Sequence, residues 1–141
     1  MKRIFLSEIE ILFKNFNQGL KERYQEKMPS FETRYPNILE SSLVVPFEEF
    51  GGKPFYETLP EKLAIVFYLL IKNHAFRDGN KRMALATLLF FLAKNNKWLK
   101  AKENELYDFV LWVTESKSKN KNYVLADIEK FIIEHLVNYY N

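Results

Sequence analysis

The chain has 141 residues, enough for one domain, read here as 1–141. Hydrophobic content of 48% with only four glycines argues for a folded globule and against disorder. The absence of cysteine excludes a disulfide framework and a thiolate metal site, and a net charge of +3 from 21 basic and 18 acidic residues is too mild to mark a nucleic-acid binder.

At the N-terminus, Ser7-Glu8 interrupts the apolar Ile4-Phe5-Leu6, so no basic-then-apolar leader is read. Ser7-Glu8-Ile9-Glu10 has capping-box spacing and predicts a helix to about Glu26. Pro29 to Pro36 reads as a loop. Leu39–Val45 predicts a short helix that ends before Pro46. Phe47 to Thr58 holds two adjacent glycines, a proline and four aromatics, and reads as an extended or hairpin-like flap. Thr58-Leu59-Pro60-Glu61 is a second capping-box pattern, with proline in the first turn, where its missing N–H is harmless.

The helix that follows runs to about Asn73 and is apolar nearly all round from Ala64 to Ile71, which predicts a central, buried position. A second such helix is predicted from about Asn80 to Asn95. Two more follow, over Glu103–Ser116 and Tyr123–Asn138, the last with Leu125, Ile128, Ile132 and Leu136 on one face. The lysine-rich tract Lys117–Lys121 between them reads as an exposed polar loop. No apolar run approaches the ~20 residues that span a bilayer. The expectation is an all-α, soluble, cytoplasmic protein with one small hairpin.

Between the two apolar helices lies His74-Ala75-Phe76-Arg77-Asp78-Gly79-Asn80-Lys81-Arg82. A helix N-terminus offers unpaired N–H groups and partial positive charge, which suit phosphate. Gly79 permits backbone angles at which successive amides converge on an anion. Arg82, in the first turn of the second helix, opposes the helix dipole unless an anion binds beside it, and its fork fits phosphate oxygens. Lys81 adds a point charge. Asp78 offers hard oxygen for magnesium, the usual companion of a polyphosphate. His74 can accept a proton from a hydroxyl. Phe76 reads as the anchor of the loop. Taken singly, each residue has a plainer role: Asp78-Gly79 is a common turn, Asn80 a helix cap, His74 a core histidine, Lys81 and Arg82 surface charge. The combination in one short loop favours an active site. His135 lacks such company and reads as a flank of the last helix.

The loop resembles the signature of the Fic/Doc superfamily, His-x-Phe-x-(Asp/Glu)-(Gly/Ala)-Asn-x-Arg, and meets every fixed position. Leu39-Glu40-Ser41-Ser42-Leu43, Phe50-Gly51-Gly52 with Tyr56, Glu61-Lys62 and Asn73 resemble the run before the motif in short Doc-like (death-on-curing) members. Asn80-Lys81-Arg82-Met83-Ala84-Leu85 and Leu89-Phe90-Phe91-Leu92 resemble the helix after it. The resemblance spans about Leu39 to Asn95 and weakens toward both ends. It implies a helical Fic core with a small β-hairpin flap, and transfer of a phosphate-containing group from a nucleotide, ATP or another NTP with Mg2+, to a protein hydroxyl. By position, His74 would be the general base and Asp78 the magnesium ligand. Gly79, Asn80 and Lys81 would shape the anion hole, and Arg82 would grip phosphate. The flap (Phe50, Gly51, Gly52, Lys53, Phe55 and Tyr56) would hold the target chain by strand addition.

Two departures bear on the reaction. The AMP-transferring branch usually has glycine where Lys81 stands, and a second arginine where Leu85 stands. Doc-like members share Asn-Lys-Arg and are similar to kinases that deliver the terminal phosphate, with a translation elongation factor as target. Gly79, however, matches the AMP-transferring branch, whereas the Doc pattern has alanine. Phosphate transfer is favoured, with AMP transfer as the alternative and a non-catalytic Fic-fold module after it. No self-inhibiting Ser/Thr-x-x-x-Glu-Gly/Asn pattern occurs. A toxin of this type would therefore be restrained by a separate antitoxin protein or by weak intrinsic activity. No membrane or nucleic-acid partner is expected, because the aromatics fall mostly at core spacing.

Overall fold

Helix α3 (Leu59–Lys72) is the central element of the computed structural model, which describes residues 1–139. Leu63, Ala64, Ile65, Val66, Phe67, Leu70 and Ile71 are all buried. Each large side chain gains about 1.5–3 kcal/mol on leaving water, against about 1–2 kcal/mol of backbone entropy per residue. Tertiary burial, rather than the modest propensity of Ile65 and Val66, therefore holds this helix. Its start follows the sequence: the Thr58 hydroxyl accepts the Glu61 N–H at 3.2 Å and donates to the Glu61 carboxylate at 3.1 Å.

Helix α4 (Asn80–Lys94) makes the most extensive contact with α3, burying Met83, Ala84, Leu88, Phe91 and Leu92. Around this pair lie α1 (Leu6–Tyr24), α2 (Ile38–Val44), α5 (Glu103–Glu115) and α6 (Lys121–His135), giving six helices among the described residues. The fold is the expected helical core with a small β flap.

Several local expectations shift. The N-cap of α1 is Phe5, not Ser7. The Glu8 carboxylate accepts the Phe5 N–H at 2.9 Å and also pairs with Lys94 of α4 at 2.7 Å. A contact between helices thus fixes where α1 begins. The helix closes two residues before Glu26, with Gln25 in the left-handed conformation at φ 56°. Pro29–Pro36 contains a single 3-10 turn, Phe31–Thr33, and a second one, Val45–Phe47, takes in Pro46.

The flap is a hairpin of β1 (Glu49–Phe50) and β2 (Lys53–Pro54), paired antiparallel as Glu49 with Pro54 and Phe50 with Lys53. Gly51 and Gly52 between them both have positive φ, 58° and 80°, as a two-residue type I′ loop demands.

A second antiparallel strand pair was not expected. Strand β3 (Lys97–Leu99) pairs antiparallel with β4 (Leu136–Asn138). The last helix therefore stops at His135 instead of Asn138, and Leu136 belongs to a strand, not a helical face. The Lys100 N–H donates to the His135 carbonyl at 2.8 Å and the Tyr139 N–H to the Asn96 carbonyl at 2.9 Å, extending the ladder at both ends. No local breaker marks this end, because a partner distant in sequence imposes it. Among the described residues, no helix is long and apolar enough to cross a membrane.

Candidate active site

His74 to Arg82 connect the C-terminal end of α3 to the first turn of α4. His74 has φ 50°, a left-handed conformation common just past a helix end but costing a non-glycine residue about 1–2 kcal/mol. The loop is then held at three points. The Ala75 carbonyl accepts the Tyr35 N–H at 3.0 Å. Phe76 is buried, its ring stacked on Phe13 of α1 with centroids 5.0 Å apart and lying 6.0 Å from Phe31. Asn80 grips the Phe76 backbone twice: Oδ1 accepts its N–H at 2.9 Å and Nδ2 donates to its carbonyl at 2.8 Å. The Asn80 side chain thus shapes the loop from within and leaves its backbone N–H for a ligand.

Two separate features favour glycine at position 79. Its φ is 79°, and a Cβ there would lie 2.1 Å from the Met28 sulfur. Met28 is buried, and its backbone is held by Asn17 of α1. The Met28 N–H donates to Asn17 Oδ1 at 2.6 Å, and Asn17 Nδ2 donates to the Met28 carbonyl at 2.9 Å.

Held in this way, the loop lines a cleft of about 400 Å³. His74, Arg77, Asp78, Gly79, Asn80, Lys81 and Arg82 face it, with Ile71 and Thr114 completing the wall. Lys72 secures that wall by donating to the carbonyls of Thr114, at 3.1 Å, and Ser116 at the end of α5. The hydrogen-bond ladder of α4 begins at the Met83 N–H, which donates to Gly79 O at 2.9 Å. The amides of Asn80, Lys81 and Arg82 therefore donate to no acceptor among the described residues. Neither do the Lys81 ammonium and Arg82 guanidinium, both exposed. Arg77 is engaged, donating to the Thr33 carbonyl at 3.0 Å and lying 5.0 Å from the Tyr35 ring centre. Two cations and three amides without partners at one helix N-terminus are an arrangement chemically suited to an anion.

The Fic/DOC family model matches residues 8–92. The chain belongs to the Fic/Doc family. Comparison with curated proteins returns no match. Members of the family transfer nucleotide-derived groups to proteins, and the chain is a Fic-type transferase in that general sense. The matched region starts well before Leu39, where the resemblance in the sequence was first legible. Its N-terminal part supplies Phe13, Asn17, Met28 and Phe31, which support the Fic loop from behind.

The flap is not part of the Fic cleft: none of Phe50, Gly51, Gly52, Lys53, Phe55 and Tyr56 lines it. Phe50 and Phe55 are 77% and 58% exposed with ring centres 6.4 Å apart, an apolar pair open to solvent. Burial, and then Glu48, pushes the Tyr56 phenol above its ordinary pKa. A second, more apolar hollow of about 440 Å³ adjoins the Fic loop. It shares Lys81 and Arg82 with the first cleft and is walled by Leu85, Leu106, Tyr107 and Val110. Sequence reasoning did not find the α5 side of this hollow, because nothing in the spacing of Leu106, Tyr107 and Val110 distinguishes a ligand wall from an ordinary helix face.

Proposed function

We propose that this Fic/Doc protein is a kinase of the Doc type, which moves the γ-phosphate of ATP or another NTP to a hydroxyl of a target protein. The observation that carries this reading is Lys81, free of partners on the rim of the cleft, with Leu85 one turn further where a second phosphate-gripping arginine would stand. In this mechanism the His74 ring accepts the proton of the target hydroxyl. The hydroxyl oxygen bonds to the γ-phosphorus, the bond to the β–γ bridging oxygen breaks, and the nucleoside diphosphate leaves. The amides of Asn80, Lys81 and Arg82 and the two cations hold the phosphate oxygens as charge builds on them.

Asp78 is the only carboxylate among the residues lining the cleft, and no cluster of three or more His, Asp or Glu ligands occurs among the described residues. This donor set suits a magnesium ion that arrives on a polyphosphate, which needs one or two carboxylates beside the phosphate oxygens. Its Oδ1 accepts the Gly79 N–H at 2.8 Å, which orients the carboxylate. Magnesium bound there would neutralise charge on the phosphates. We further read the protein as the toxin of a toxin–antitoxin pair, with a translation elongation factor as the target class.

AMP transfer is the second reading. It is favoured by Gly79 and by the apolar hollow beside Lys81 and Arg82, whose walls suit a nucleobase. Labelled ATP separates the two. Cell extract incubated with the protein and ATP labelled at either α or γ is expected to yield a protein band carrying γ label alone. A band carrying α label would establish AMP transfer. Lys81→Gly is expected to move the product toward α label; an unchanged product would show that Lys81 does not set the nucleotide pose.

A further inference from the structure

Lys62 is a buried cation that the transfer chemistry does not use. It is 7% exposed, and none of the ion pairs among the described residues involves it. Near the start of α3 it also faces the positive end of the helix dipole. Burial without a counter-ion is costly unless hydrogen bonds replace the lost water. Here they do: Nζ donates to the Pro46 carbonyl at 3.1 Å and to the Tyr56 carbonyl, and lies 5.0 Å from the Phe47 ring centre.

Those two carbonyls are the two feet of the flap. Between them stands a hairpin with two residues in each strand, further tied by the Phe55 N–H donating to the Glu48 carbonyl at 3.2 Å. A ribbon of this size does not hold its own shape in water. Its outer face is solvent-exposed, so little apolar burial fixes its position.

We infer that Lys62 is the positioning residue for target docking. Its ammonium staples both feet of the flap to α3, the helix that leads into the Fic loop. The ribbon that would present an extended target segment and the histidine that would take its proton are thereby referred to one rigid element. The docking consequence rests on the transferase reading; the staple itself does not.

Hydrogen–deuterium exchange on the full chain decides the staple. Lys62→Met keeps the aliphatic length and removes every donor. Losing two hydrogen bonds predicts amide exchange over residues 48–56 about tenfold faster or more, with residues 74–82 and α4 unchanged. Lys62→Arg, which keeps charge and donors, is expected to recover slow exchange. Unchanged flap exchange in Lys62→Met, or acceleration spread evenly over the protein, would overturn the inference. In γ-labelling of extract proteins, Lys62→Met should lose about tenfold in rate at dilute extract and recover at high extract concentration, with affinity for MgATP unaltered. An equal loss at all extract concentrations would refute the docking role. If the wild-type protein labels nothing from either the α or the γ position, the transferase reading fails, while exchange still shows whether Lys62 holds the flap.

Discussion

His74 is exposed and makes no hydrogen bond or ion pair with any described residue, so nothing in the resting protein competes for its ring. His74→Ala is expected to lower transfer about 10²–10⁴-fold, the usual worth of a positioned base, while stability stays within about 0.5 kcal/mol. Labelling assays and thermal melts of the same sample check both. Gly79 is the opposite case, a residue fixed by its surroundings. Gly79→Ala should cost about 1–2 kcal/mol for the left-handed backbone and about 1–3 kcal/mol for the collision with Met28. Denaturant unfolding of Gly79→Ala, Met28→Ala and the double variant tests the cause. The alanine should cost less once Met28 is trimmed, with a coupling above about 0.5 kcal/mol; strict additivity would leave the backbone as the whole explanation. The motif itself was legible in the sequence because its residues are contiguous. Met28 as the reason for glycine was not, since 51 positions separate two atoms that touch only in the fold.

At the scale of elements, the ends of α5 and α6 are joined by a contact that the sequence did not suggest. His135 is not a bare flank. Its Nδ1 lies 2.7 Å from the Phe131 carbonyl, and its Nε2 lies 3.4 Å from Glu105. Glu105 in turn accepts the Lys102 N–H at 3.0 Å, fixing the start of α5. That backbone hydrogen bond first, and His135 after it, hold the Glu105 carboxyl below the usual carboxylate range. A carboxyl depressed in the folded state stabilises it above the unfolded pKa, and the stabilisation is lost as pH falls through the folded value. Glu105→Gln should therefore melt lower than the wild type at pH 7. The gap should close as pH falls through the lowered carboxyl range, where the wild-type carboxylate also protonates. Melting curves from pH 7 to pH 3 test this, and a constant gap would deny the titration. Helices with a capping pattern were legible in outline, as at Thr58. Ends set by another element, at Phe5 and His135, were not, because no local residue encodes them.

Across the whole molecule, one aromatic column ties the site helix to the C-terminal pair. Phe67 of α3 stacks on Phe109 of α5 with centroids 5.1 Å apart. Phe109 stacks on Phe131 of α6 at 4.0 Å, and Phe131 on His135 at 4.1 Å. Phe109→Ala should cost about 3–5 kcal/mol, a large share of a typical total of about 5–15 kcal/mol. Urea denaturation should show it as a lower midpoint with an unchanged slope. Sequence alone determined the helical class, the two buried central helices and the Fic loop, because these depend on residues within a few turns of one another. Only the tertiary structure decided that α1 supports the loop through Asn17 and Met28, that β3 and β4 end the last helix, and that Lys62 joins both feet of the flap to α3. Each of these rests on atoms far apart along the chain, whose meeting depends on helix directions and volumes that no local pattern carries.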